Sequence, residues 1–266
     1  MSIDTKLGRA FEVFESFTKQ GLLAGYGISS NGLANGQLTP QTIMSANPGK
    51  GFKMVQFPGN LLERSGLSGP PTLWAFEKEY EISVNRPFTA FDNEGSWRLV
   101  EAPFPEQYSA AKDSLLAHIT PAPGASPEEI EACSWMSNLV LRIDEQLSQF
   151  TSIVHWESEL AERILPMIDK EVEELDGKTL ELLSNYFHQF GLAVRESGGH
   201  LARERVLSKH PELKKSSRFN ENPLQQSALE FVCGFPRIKL VSAQATDPSQ
   251  VEAWATWDLH AGLRLD

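Results

Sequence analysis

Cysteine, clustered positive charge and long apolar runs are the scarce features of this sequence. Its two cysteines, Cys133 and Cys233, lie a hundred residues apart. They have neither the spacing of a metal-ligand set nor the density of a disulfide-stapled secreted domain, so a reducing, cytoplasmic setting is expected. No uninterrupted apolar stretch approaches the ~20 residues of a membrane-crossing helix. The polar segment Met1 to Ala10 lacks the apolar core of a secretion signal, so no membrane role is expected. Basic side chains number 24 against 35 acidic ones, a net charge of −11. They are scattered, which argues against a nucleic-acid partner, because phosphate contacts need clustered Lys and Arg. Glycine and proline, at 19 and 16 of 266 residues, show no excess of the kind seen in fibrous or disordered chains. What remains is a chain with 41% apolar residues, able to bury a core. Its length is near the ~250 residues of an eight-fold β/α barrel, so the number of strands becomes the deciding feature.

Four short runs of β-branched or apolar residues bounded by turn formers read as strands: Leu23 to Ile28, Phe52 to Phe57, Tyr80 to Val84 and Arg237 to Val241. Helices are expected at Gly8 to Gln20, Thr39 to Ala46 and Pro71 to Lys78, so the first three strands form consecutive parallel β/α units. From about Glu106 to Lys209 the pattern turns helical. Ser126, Pro127 and Glu129 spell a helix start, in which a hydroxyl caps free amides and a carboxylate reaches back to the cap; the helix should run to about Phe150. Ile130, Cys133, Met136, Leu139, Leu141 and Ile143 mark its packing face, and Val154, Leu160, Ile164, Leu165 and Ile168 that of the next segment. Glu157, Glu159, Glu162, Glu171, Glu173, Glu174 and Asp176 give the bundle an acidic outer face. Gly198 and Gly199 read as the punctuation that ends it. A helix near Asn222 is stopped by Gly234 and Pro236 before the fourth strand, and Asp247-Pro248 caps a last helix through Trp254 and Trp257, two aromatics spaced for packing.

Small polar residues gather where these strands end: Gly27-Ile28-Ser29-Ser30-Asn31-Gly32 after the first, Gln56 in the second, and Asn85-Arg86-Pro87-Phe88 after the third. In α/β folds ligands bind at the carboxyl ends of strands, and amides and hydroxyls there suit a planar carboxamide. Two other chemistries are weaker matches. His155 and Glu159 stand at helical i, i+4 spacing with Glu162 nearby, but a solvated acidic face produces such pairs by chance. Ser29 after a strand has the place of a hydrolase nucleophile, yet Asn31 replaces the second glycine of that sharp turn.

The order of these segments resembles the C-terminal half of the aldo-keto reductase family. Gly25 to Ser30 is similar to its fifth strand, Met54-Val55-Gln56 with Asn60 to Arg64 to its sixth, and Val84 to Phe88 to its seventh; Leu224 to Phe231 and Asp247 to Val251 resemble the elements around the eighth. The resemblance implies a partial TIM (β/α) barrel of about four parallel strands, an α/β fold with a large α-helical insertion. Residues 1–105 and 210–266 would be barrel units and 106–209 the insertion. It implies an NADP or NAD cofactor whose nicotinamide carboxamide is held by Ser29, Ser30 or Asn31, and Gln56, with Asn85 and Arg86 beside the ring, and a small carbonyl substrate. The family usually has Asn at position 30 and often an aromatic at position 85. Gln244, Ala245, Thr246, Gln250 and Trp254 include no basic group for the adenosine 2′-phosphate. The family's catalytic Asp, Tyr, Lys and His come from the first four β/α units, and Met1 falls just before the helix leading to the fifth strand. No catalytic set is therefore expected in this chain. The implied activity is carbonyl reduction by hydride transfer, completed by a missing N-terminal half. The alternative is a non-catalytic relative whose helical insertion serves a protein partner. Self-association through an open half barrel is a further possibility of the same reading.

Overall fold

In the computed structural model the structure is described for residues 2–172, 175–245, 247–257 and 259. The expectations for Glu173, Glu174 and Thr246 lie outside the described residues. The chain divides into two compact units, 1–99 with 205–266, and 100–204.

The first unit is α/β. In chain order it holds α1 (Ile3–Lys19), β1 (Tyr26–Ser29), α2 (Asn31–Asn35), α3 (Pro40–Ser45), β2 (Phe52–Pro58), α4 (Ser65–Ser68), α5 (Pro70–Glu77), β3 (Glu81–Asn85), β4 (Thr89–Asp92) and β5 (Gly95–Arg98). The helical unit follows with α6 (Tyr108–His118), α7 (Pro127–Glu145), α8 (Ile153–Glu159), a π turn (Leu160–Ile164), α9 (Leu165–Glu171) and the long α10 (Gly177–Lys209), whose last turns belong to the α/β unit. The chain ends with α11 (Ser217–Glu221), α12 (Leu224–Cys233), β6 (Leu240–Ser242) and α13 (Pro248–Thr256).

The sheet runs β1-β2-β3-β6 with every pair parallel, as the β/α reading expected. Its register aligns Ser29 with Gln56 and Gln56 with Ser83, and Asn85 with Ser242. Alternation along the strands puts Val55, Phe57, Ile82 and Val84 on a face that is fully buried. Gly27, Ser29, Met54, Gln56, Ser83, Asn85 and Ser242 alternate onto the other face. Proline at the first helical turn and side-chain caps set the helix starts: Thr39 accepts from the Thr42 amide at 3.2 Å and Asp247 from the Ser249 amide at 2.7 Å.

Two differences from the sequence reading in the α/β unit have physical causes. The fourth strand begins at Leu240 rather than Arg237, where the Arg237 guanidinium lies 4.5 Å from the Phe76 ring. Residues 89–98 form an antiparallel hairpin, β4 with β5, that the reading left without structure. Its signal was Asn93-Glu94-Gly95 between aromatics, with Gly95 at φ 147°.

The helical unit keeps its predicted capping box: Ser126 accepts from the Glu129 amide at 3.1 Å and its own amide donates to the Glu129 carboxylate at 2.7 Å. The core is aromatic, with Trp156 and Phe190 centred 4.4 Å apart and Phe150, Tyr186 and Phe187 around them. Four expected core positions face outward: Ile130, Leu141, Leu165 and the 70% exposed Val154. Gly198 and Gly199 do not end the bundle but sit inside α10. A Cβ on Gly198 would meet the Thr151 carbonyl oxygen at 2.9 Å, and one on Gly199 would meet that of Val100 at 2.6 Å. They are bare so that two loops can cross the helix. Of the described residues, no helix is long and apolar enough to cross a membrane.

The charge is divided unevenly. The helical unit has 19 acidic and 7 basic side chains, a net of −12, and the α/β unit has 16 and 17, a net of +1.

Candidate functional site

Three of the residues singled out at the strand ends are joined in one hydrogen-bonded row. Ser29 Oγ donates to Gln56 Oε1 at 2.9 Å, and Asn85 Nδ2 reaches the same oxygen at 3.4 Å. Gln56 Nε2 donates to Ser83 Oγ at 2.9 Å and to Ser242 Oγ at 3.3 Å. The parallel register makes this row, since it brings Ser29, Gln56 and Ser83 abreast and, two residues on, Asn85 beside Ser242. Ser83 and Ser242 were missed by sequence reading; their alternation with apolar neighbours was the available signal. Asn85 Oδ1 is buried without a hydrogen-bond partner. A groove of about 570 Å³ reaches Ser29 and Gln56 of the row and is otherwise lined toward the amino ends of the strands, by Gly27, Lys53, Met54 and Glu81 among others. Gly27 permits it, because a Cβ there would come within 2.3 Å of the Met54 carbonyl oxygen.

The other expected ligands are spent elsewhere. Ser30 Oγ accepts from the Gly32 amide at 3.1 Å and so caps α2, which Asn31 opens from an exposed position. Arg86 adopts a left-handed backbone, φ 55°, and its guanidinium pairs with Glu63 at 2.8 Å over the Phe91 ring at 4.7 Å. The fully buried Asn60 fixes this turn by donating to Glu63, to the Arg86 carbonyl and to the Thr89 carbonyl, at 3.0, 3.2 and 3.1 Å. Such strain at a strand end is held by its surroundings and often accompanies a binding rim. Arg86 therefore stiffens the rim, and its Nε is buried without a partner.

No tyrosine in the chain is set up as a proton donor. Tyr26 and Tyr80 are pushed up by burial, and the Tyr26 hydroxyl accepts from the Gly49 amide at 3.0 Å. In the helical unit Tyr108 donates to Asp144, which Lys112 pairs at 2.9 Å. Burial, and then the adjacent Asp144 carboxylate, raise the Tyr108 hydroxyl far above the ordinary phenol range, so this Tyr, Lys and Asp trio is a closed structural knot. Tyr186, raised by burial, donates to the Val140 carbonyl at 3.3 Å.

In comparisons with protein-family models, curated proteins and solved structures, nothing matches this chain. The site stands on its geometry.

The remaining sequence candidates dissolve. His155 packs on Phe150 at 5.0 Å and Glu159 pairs with Arg163 at 3.0 Å, and among the described residues no group of three His, Cys, Asp or Glu side chains is placed to hold a metal. Ser29 donates to an amide oxygen, which leaves it no nucleophile's base. Trp254 packs against Phe88 at 5.2 Å, half-buried, rather than pairing with Trp257 in the core.

Proposed function

We propose that the α/β unit binds the carboxamide of a nicotinamide cofactor, NADP or NAD, through Ser29, Gln56 and Asn85, and is the cofactor-side portion of an oxidoreductase resembling the aldo-keto reductases. The observation that carries the reading is the polar row with its unsatisfied Asn85 oxygen. A primary carboxamide offers two N–H donors and one carbonyl acceptor, which complement Asn85 Oδ1 and a rotated Ser29 hydroxyl. Gln56, tied to Ser83 and Ser242, keeps both groups in place. In its bound state the cofactor supplies hydride to a small carbonyl compound. The residues of this chain bind and orient it, and this reading assigns the proton that the new alkoxide requires to another polypeptide segment, since burial raises all four tyrosines. The finer fold reading, half of an eight-stranded β/α barrel, belongs to this proposal: its support is the sequential parallel order β1-β2-β3-β6 with one strand face packed and the other polar. The adenosine end fits less well, because Gln244, Ala245, Gln250 and Trp254 supply no cation, which favours NAD over NADP.

Fluorescence titration of the purified chain with NADH and NADPH tests this. Binding weakened about tenfold in Gln56→Ala and unchanged in Asn31→Ala is the expected outcome. Failure of both cofactors to bind at millimolar levels ends the reading.

A second reading, a non-catalytic interaction module working through the helical insertion, is favoured by one observation. The chain's excess negative charge is confined to the helical unit.

A further inference from the structure

Within the helical unit, α8, the π turn and the start of α9 form one wall of a cleft and α10 the other. The cleft measures about 420 Å³, and Trp156, Leu160, Leu165, Leu180, Leu183 and Phe187 supply its apolar lining. The helices meet closely at Gly191, where a Cβ would lie 3.2 Å from Ile153 Cδ1 and 3.4 Å from the Trp156 ring. Leu180 and Leu165 at the mouth are 50% and 41% exposed. An apolar cleft with leucines at its lip gains free energy when covered, about 25 cal/mol for each Å² removed from water. The π turn adds to the case, since such turns recur at functional positions.

Charge selects what can cover it. Between Ile153 and Glu171 the first wall carries Glu157, Glu159, Glu162, Asp169 and Glu171 against only Arg163 and Lys170. Both cations are already engaged, Arg163 with Glu159 at 3.0 Å and Lys170 with Glu171 at 3.2 Å. Of these carboxylates Glu157 lines the cleft itself, with His188 and Arg195 on the opposite wall, and the others lie on the same helices outside its lining, in a unit with a net charge of −12. This field repels an anionic amphiphile such as a fatty acid and draws in a segment whose apolar stripe is flanked by lysine or arginine.

We propose that the cleft docks a basic amphipathic helix of a partner protein, its apolar stripe on Leu165, Leu180 and Phe187 and its cations toward the α8 and α9 carboxylates. The proposal rests on the interaction-module reading, gives that module its partner class, and makes no use of the strand-end row.

The test is fluorescence anisotropy of the full chain with a labelled synthetic helix that has leucine at i, i+3, i+4 and i+7 and lysine elsewhere. A glutamate counterpart serves as the control and oleate as the competitor. The lysine peptide is expected to bind in the micromolar range and to weaken with salt. Leu180→Glu and Leu165→Glu, both at exposed positions, should each weaken it about tenfold with circular dichroism retained. Val154→Glu, on α8 but outside the cleft, should leave it unchanged. Unchanged or tighter binding in both Leu180→Glu and Leu165→Glu indicates attraction to the acidic surface alone, which overturns the cleft and spares the module. Equal binding of the glutamate peptide, or displacement by oleate, also overturns the cleft. Absence of lysine-peptide binding overturns both.

Discussion

In the α/β unit 16 acidic side chains face 17 basic ones and many are drawn into buried knots; in the helical unit 19 face 7 and most stay in water. The α/β unit has the Asn60, Glu63 and Arg86 turn, the Asp92, Trp97 and Arg205 cluster, and the fully buried Glu230, which accepts from Arg218, Asn222 and Gln226 at 2.9, 3.1 and 2.9 Å. The helical unit is held by aromatics packed edge-on or tilted, with the Tyr108, Lys112 and Asp144 knot and the Glu101–Arg203 pair as polar exceptions. The difference follows from backbone bookkeeping. Helices satisfy their own amides and carbonyls, so their interface can be apolar throughout, whereas the loops at strand ends need side chains to fix them. Polar precision is thereby concentrated in the unit that carries the strand-end row, and apolar surface with net charge in the unit that carries the cleft.

The contrast can be broken most sharply in the aromatic core. Phe190→Ala, at a fully buried position beside Trp156, should cost about 3–5 kcal/mol in denaturant unfolding. A loss under 1 kcal/mol in that measurement would mean that the aromatic packing is not what holds the helices. In the α/β unit the matching change is Arg218→Ala, which strands the Glu230 carboxylate. Removing one partner of a buried pair costs on the order of 3–5 kcal/mol, and the lower end is expected because the Arg218 side chain is 40% exposed. The double change with Glu230→Gln should recover part of that loss, as a thermal melt would show.

Gly199→Ala sharpens the comparison by inverting a rule. In an ordinary helix interior the change stabilises by about 1 kcal/mol, but here the Cβ would lie 2.6 Å from the Val100 carbonyl oxygen and should cost roughly 1–3 kcal/mol. A raised melting temperature would show that the crossing loop yields freely. The smallest effect is on pH. Burial alone would raise the Asp92 carboxyl, but the Trp97 indole, the Glu94 amide and Arg205 outweigh it and bring it down to about 2. Its contribution, about 1–2 kcal/mol, should be complete above the unfolded value of 3.8 and vanish as pH falls through 2. Asp92→Asn should flatten that part of the acid-denaturation profile.

Much of the fold was legible because periodicity reports which face of an element is buried. The four parallel strands, the Ser126 box and the Asp247 cap depend on residues close in sequence. The outward-facing Ile130, Leu141, Val154 and Leu165 were not legible, since an apolar residue at helical spacing says nothing about how many sides of the helix are covered. Of the strand-end residues, Ser29, Gln56 and Asn85 were readable as a polar set. Their bonds to one another and to Ser83 and Ser242, and the diversion of Ser30 to a helix cap and of Arg86 to Glu63, follow from contacts spanning 2 to 186 residues of chain.

The sequence by itself determined the element types, the parallel α/β unit with its helical interruption, and the acidic character of that interruption, because propensity, capping and charge are local or additive properties. The tertiary structure alone decided which polar atoms meet. It made Gly198 and Gly199 crossing points rather than a terminus, brought the Ser83 and Ser242 hydroxyls within reach of Gln56, and left the Asn85 oxygen without a donor. Each of these depends on register and close approach between distant segments, which a residue's own chemistry does not encode.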